Sequence, residues 1–306
     1  MNLTQLQAFP PDRVRALFGL EPAALSALLA AALPALTARR LTEQQARFEQ
    51  AKQNRKRNPG GGRRRKLHPY QEVLLTLVYL RHNVSHAVAG AMFGVSADIS
   101  ENSFHDVVQV LRQVCPAHRY DAQKKWTKTE PSWHPETIDV VLVDSFETPI
   151  ARPSLPGVQK QLYSGKKKRH TLKTQIITDK DGEVLALEPG HPGPLSDKAL
   201  YEQSEAAKQY PRAARRADLG YQGVPEMILP HKRVRGKEGE KAKDLTPQQK
   251  AENQHLASMR VPVEHGVRRC KAWRILRDEF RLGRGLFCLV ATATVGLVHL
   301  ARLCPG

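Results

Sequence analysis

At 306 residues the chain has room for two ordinary domains, since single cores stop growing near this length. Its 48 Lys and Arg against 30 Asp and Glu leave a formal net charge of +18, which points to a polyanion such as nucleic acid. Cys115, Cys270, Cys288 and Cys304 form neither a CxxC pair nor a zinc-ligand spacing, and residues 1–18 lack the charged start, apolar core and cleavage site of a secretory signal. Reduced, mostly core thiols and a cytoplasmic chain are the expectation.

Residues 11–50 are rich in Ala and Leu at three and four spacings, broken by Pro22 and Pro34, which predicts short amphipathic helices. Residues 53–66 (QNRKRNPGGGRRRK) carry seven positive charges and no negative one around a Pro-Gly-Gly-Gly centre. This reads as a basic loop or arm, with Arg63, Arg64 and Arg65 as candidate phosphate contacts.

Residues 69–82 predict a helix with Pro69 in its first turn, and residues 86–114 predict two more on either side of Gly94-Val95-Ser96. That is a helix-turn-helix pattern, in which Ala87, Ala89 and Ala91 would allow close approach, Gly94 the turn, and Ser100 or Asn102 the cap of the second helix. The polar face of that helix would enter a major groove of double-stranded DNA. A plain three-helix bundle has the same periodicity.

Residues 115–139 show little periodicity and place a domain boundary near 135, giving a helical region 1–134 and a β-rich region 135–306. Next come a strand ending at Asp144 (DVVLVD), a strand over 170–178, and a hairpin through Asp179–Gly182 into EVLALEP. A helix (SDKALYEQSEAAKQY), short strands at ARRAD and MILP, a basic insertion, and a long helix over 248–275 complete it. This α+β or α/β order suits a mixed sheet with helices on its faces. The apolar run Leu286–Leu297 is too short to span a membrane and predicts a buried helix.

Asp144 and Asp218 each close a short strand, and Glu264 lies on the long helix with Arg260 four residues before it and Arg268 four after, all on one face. Hard divalent ions take oxygen ligands, and two ions about 3.5–4 Å apart suit phosphodiester chemistry. Taken alone, each acid is more often a cap, turn or ion-pair residue. The run Lys166, Lys167, Lys168 and Arg169 reads as a backbone clamp or a solvated hairpin face. His170, His191, His231 and His265 have no zinc spacing.

The segments DSFETPIARP, YSGKKKRHTLKTQ and DLGYQG, with Arg260, Glu264 and Lys271 spaced R-(3)-E-(6)-K, resemble the DDE transposases of bacterial insertion sequences, specifically the IS-five-like group related to Harbinger transposases. The resemblance spans roughly residues 40–300. It implies an RNase H-like catalytic core behind an all-α helix-turn-helix domain, and a metal-binding triad of Asp144, Asp218 and Glu264 that holds two Mg²⁺ or Mn²⁺ ions. It further implies that Lys271 contacts DNA near a transposon end, and Arg260, on the same helix face as Glu264, is a further candidate DNA contact. Asp197 matches an acid of the group and is read as a structural or supporting residue. Where the group often has Gly or Ala and then Thr after its first acid, this chain has Ser145-Phe146, and Ala257 stands where a Tyr is common.

The implied activity is binding of terminal inverted repeats, metal-dependent cleavage and strand transfer, with a homodimer on DNA and no membrane association. An inactive DNA-binding relative (a repressor or domesticated transposase) and an RNase H-like nuclease are the alternatives.

Overall fold

The computed structural model describes residues 8–54, 65–233 and 244–304. Arg63, Arg64 and most of the predicted arm lie outside them, as does much of the basic insertion after residue 233. The chain forms two compact units, one of residues 1–116, 273–275 and 292–306, the other of residues 117–272 and 276–291.

The first unit is helical: α1 (Pro11–Phe18), α2 (Pro22–Asn54), α3 (Pro69–His82), α4 (His86–Phe93) and α5 (Ala97–Val114). The broken helices expected over 11–50 are in fact α1 and one 33-residue helix. Pro22 stands at its first residue, where no backbone N–H is needed, and Pro34 lies inside it, with Leu25, Leu28, Ala32 and Leu36 buried on one side. In α3, Val73, Leu74, Leu75, Leu77, Val78 and Leu80 are all buried, so this is the central helix of the unit.

The helix-turn-helix is α4, a turn and α5. Gly94 adopts φ 71°, a left-handed conformation that ends α4. The cap of α5 is Ser96, whose hydroxyl accepts from Ile99 N, because the helix begins directly after the Gly-Val-Ser turn. Ser100 and Asn102 are therefore one turn inside, and Ser100 is buried against His86 Nδ1 at 3.1 Å. Of the three alanines expected to allow close approach only Ala89 is buried, and the tight contact falls at Gly90, where an added Cβ would stand 2.6 Å from the Val95 carbonyl. Tyr79, His86 and Phe104 stack to hold the three helices, with Tyr79–His86 centroids 4.3 Å apart.

The second unit starts earlier than the sequence boundary near 135. Helix α6 (Arg119–Thr127) belongs to it, tied by Arg119 to Glu183 at 2.7 Å and by Trp133 Nε1 donating to Gln123 at 3.1 Å. Its mean composition is polar, which is why periodicity did not reveal it. The sheet comprises β1 (Val140–Pro149), β2 (Tyr163–Ser164) after α7 (Pro156–Leu162), β3 (Arg169–Thr178), β4 (Val184–Pro192), β5 (Ala214–Arg216) and β6 (Met227–Ile228). Helix α8 (Asp197–Gln203) precedes β5 and α9 (Pro247–Lys271) follows β6. The predicted helix over 196–210 breaks at buried Ser204.

Strands β4, β3 and β1 pair antiparallel in that order, and β1, β5 and β6 continue in parallel, so the sheet is mixed. Alternation sends Val141, Val143 and Ile177 into a cluster with Leu185, Tyr201, Tyr221 and Met227. The pairs Leu142↔Thr178 and Asp144↔Ile176 share the other face. Helix α9 lies there, because an added Cβ on Gly266 would stand 2.7 Å from Thr178 Cγ2 and 3.6 Å from Ile176 Cδ1. Gly266→Val is expected to lower stability by about 2 kcal/mol through overpacking, as measured by urea unfolding.

The last helix, α10 (Phe287–Leu303), is largely buried, with Val290, Ala293, Val295, Leu297 and Leu300 fully enclosed. By length and composition alone, Pro22–Gln50 and Arg284–Leu303 could each cross a bilayer, and 61% of the latter's apolar window is buried within the protein. The cysteines form no disulfide among the described residues; Cys115 and Cys270 are buried, Cys304 half-buried and Cys288 exposed, so the expectation of mostly core thiols holds for two of the four.

Candidate active site

Asp144 does not end its strand. Strand β1 runs on to Pro149, held by β3, but its pairing with β5 stops at Leu142↔Arg216. Asp144 and Asp218 are each two residues beyond that last pair, so by alternation both carboxylates belong where the parallel strands part at their carboxyl ends. Such a parting of parallel strands is where open sheets place ligands.

Each acid is held by the backbone. Asp144 Oδ1 accepts from Ser145 N at 2.7 Å, and Asp218 Oδ1 accepts from Gly220 N at 2.8 Å as the cap of a short turn over Leu219–Tyr221. Burial raises the Asp144 carboxyl to about 6, the Ser145 N–H opposes this, and the nearby Asp218 carboxylate adds to it while Arg260 opposes it. Tyr221, fully buried beneath the acids, has its hydroxyl pushed well above the usual phenol range, first by burial and then by Asp197, Asp144 and Asp218.

Asp197, a supporting residue by the sequence reading, is drawn into the same cluster. Its Oδ1 accepts from Ser145 Oγ at 2.6 Å and from Lys173 Nζ at 3.0 Å. Ser145, a departure from the family pattern, thus has a defined partner. The other departure, Phe146, lies under Lys271, whose ammonium is 5.3 Å from the ring centroid. Lys173 was missed by the sequence reading because nothing in the polar run about it marks β3 as buried there, and only the fold reveals its partner.

Glu264 is exposed on α9. Arg260, one turn before it, acts electrostatically on Asp144, and Lys271, two turns after it, feels Asp144 and Glu147. Burial, followed by Lys167, lowers the Lys271 ammonium below the usual lysine range. The stripe Arg260, Glu264, Val267 and Lys271 recurs at helical spacing, so Glu264 shares a face of α9 with Arg260 and Lys271.

A cleft of about 350 Å³ beside this stripe is lined by Phe146, Glu147, Lys166, Lys167, Asp197 and Lys271, among others. Lys168 sits in the turn at φ 52° and does not line the cleft. Arg65 is also redirected: it bonds Glu72 at 3.1 Å and Asp106 at 2.6 Å, and Arg40 joins the same buried Glu72. Its guanidinium holds α3 to α5, which a count of charges in a run does not show.

Asp144 and Asp218 suit a hard dication, since crowded carboxylates with only backbone donors leave lone pairs and negative charge unmatched. Among the described residues no three of His, Cys, Asp and Glu already stand close enough to form a metal cage. The pair is assembled and Glu264 stands apart from it.

A helical unit with a helix-turn-helix and a mixed-sheet unit with paired acids at a strand parting make the architecture of a two-unit α+β protein with a candidate metal site. Residues 143–299 match the family of DDE superfamily endonucleases and residues 65–116 match the helix-turn-helix of the same superfamily. The chain belongs to the DDE superfamily endonucleases. It is 29% identical over 257 residues, 81% of this chain and 86% of the relative, to a protein from Microchaete diplosiphon named as a transposase for insertion sequence element IS702. It is 26% identical over 232 residues, 75% of this chain and 78% of the relative, to a protein from Streptomyces albus G named as a transposase for element IS112. No solved structure matches the chain.

Proposed function

We propose that the chain is the transposase of an insertion sequence, binding the terminal inverted repeats of its element and carrying out DNA cleavage and strand transfer. The observation that carries this is the placement of Asp144 and Asp218 two residues past the last β1–β5 pair, with α9, the helix that bears Glu264, packed on the sheet through Gly266. The strand order, three antiparallel strands followed by two parallel ones, supports an RNase H-like core.

Asp144, Asp218 and Glu264 would hold two Mg²⁺ or Mn²⁺ ions. Such ions supply Lewis-acid stabilisation of the attacking and leaving oxygens of a phosphodiester. The chain's own side chains do the rest. Arg260 and Lys271, spaced along α9, bind the phosphates on either side of the acids, and Lys166 and Lys167 hold backbone at the cleft. The helix-turn-helix orients the terminal repeat and the arm at 53–66 adds sequence-independent phosphate contacts. We place the protein in the cytoplasm with the nucleoid, away from membranes, and as a homodimer when two ends are paired.

The test is incubation of the full-length protein with labelled terminal-repeat DNA and Mg²⁺ or Mn²⁺. Joined products are expected. Cleavage without joining makes the protein a nuclease, and binding without cleavage makes it an inactive DNA-binding relative.

A further inference from the structure

Asp197 opens α8, just after the cap Ser196, and its carboxylate reaches two other elements. Its Oδ1 takes the Ser145 hydroxyl, one residue past Asp144, at 2.6 Å. Its Oδ2 lies 2.6 Å from the point where a Cβ on Gly220 would stand, and Asp218 Oδ1 lies 2.8 Å from the same point. One side chain thus grips β1 beside the first acid and faces the turn opened by the second. Only a residue without a Cβ leaves room for both carboxylates there.

Lys173 completes the arrangement. Its side chain is 9% exposed, and its ammonium donates to Asp197 at 3.0 Å and to the Leu195 carbonyl that leads into α8. A lysine this buried persists only against a partner, and Asp197 is its one carboxylate partner among the described residues. The contrast with the neighbouring acids decides between two roles. Among the described residues Asp144 and Asp218 receive only backbone N–H groups, whereas Asp197 has one oxygen occupied by two side-chain donors and its charge offset by a lysine. A carboxylate engaged in this way is suited to holding other groups rather than to ligating an ion.

We propose that Asp197, held by Lys173, is a positioning residue that clamps β1 to the Asp218 turn and so sets the spacing of Asp144 and Asp218. This rests on the metal-dependent reading above and deepens it.

The experiment is Mn²⁺ binding to the full-length protein, followed by electron paramagnetic resonance of the free ion, for wild type, Ser145→Ala, Ser145→Thr, Asp197→Asn and Lys173→Met. Loss of an outer partner of a metal ligand lowers metal affinity by roughly 10–100-fold. The alanine, asparagine and methionine variants are expected to weaken Mn²⁺ binding by at least about tenfold, Ser145→Thr to keep it, and affinity for terminal-repeat DNA without metal to stay unchanged. If Asp197 were itself a ligand with Lys173 as a competing cation, Lys173→Met would tighten Mn²⁺ binding and Ser145→Ala would leave it alone. Either result overturns the clamp. Ser145→Ala removes a single hydroxyl and keeps the test decisive even if Lys173→Met does not fold. Absence of Mn²⁺ binding by wild type overturns the metal reading instead, which is a different outcome from an unaffected Ser145→Ala.

Discussion

Asp144→Asn is expected to make the metal-free protein more stable at pH 7.5 by about 2 kcal/mol, a gain of several degrees in the melting temperature of the second unit. The Asp144 carboxyl is raised to about 6 in the folded protein, by burial and by Asp218, from an ordinary value near 3.8. A folded value above the unfolded one means that the group's contribution is fully favourable below the unfolded value and is lost as pH rises through about 6. At pH 7.5 the ionised carboxylate is therefore a cost, which asparagine removes while keeping the shape. The gain should shrink as pH falls from 6 and vanish below about 4. In Mn²⁺ the order should reverse, because a bound ion stabilises only the protein that can ligate it. Thermal unfolding in EDTA and in Mn²⁺ across pH 4–8 checks this, and a variant less stable than wild type in EDTA at pH 7.5 contradicts it.

Deleting residues 55–64 is expected to have the largest effect on DNA affinity. The segment holds Arg55, Lys56, Arg57, Arg63 and Arg64, five cations without an acid, and Arg65 stays behind, already engaged with Glu72 and Asp106. Each lost phosphate contact removes about 0.9 from the slope of log affinity against log salt. Loss of four or five contacts should flatten the slope by roughly 4 and weaken binding at 0.1 M salt by on the order of 10³-fold. Fluorescence anisotropy across a salt series measures both, and an unchanged slope removes the arm from the interface.

The sequence showed most where periodicity and chemistry coincide. The helices about Gly94, the hairpin at Asp179–Gly182 and the long helix bearing Glu264 are all present, because their signals are local turn residues and apolar spacing. Asp144 was found by the apolar run before it, but its setting was misread as a strand end. The strand continues because β3 pairs with it to Pro149, and it is the departure of β5 after Arg216 that opens the site, a long-range pairing that no window contains. The partners of Arg65, Glu72 and Asp106, are hidden from the sequence for the same reason, since they lie on α3 and α5. Lys173 and Ser145 carry no local signal and acquire their role only when α8 brings Asp197 between them.

The measurement that tests the central claim most directly is metal-dependent cleavage of terminal-repeat DNA by Asp144→Asn, Asp218→Asn and Glu264→Gln beside wild type. Each substitution removes a charge stabilisation of several kcal/mol, so each should slow cleavage by at least about 10³-fold. Binding of the same DNA without metal should be retained in all three. Glu264 is the most informative of them, since it lies on a separate helix and stands apart from the aspartate pair. Wild-type cleavage by Glu264→Gln, with the two aspartate variants inactive, would contradict a site of three acids.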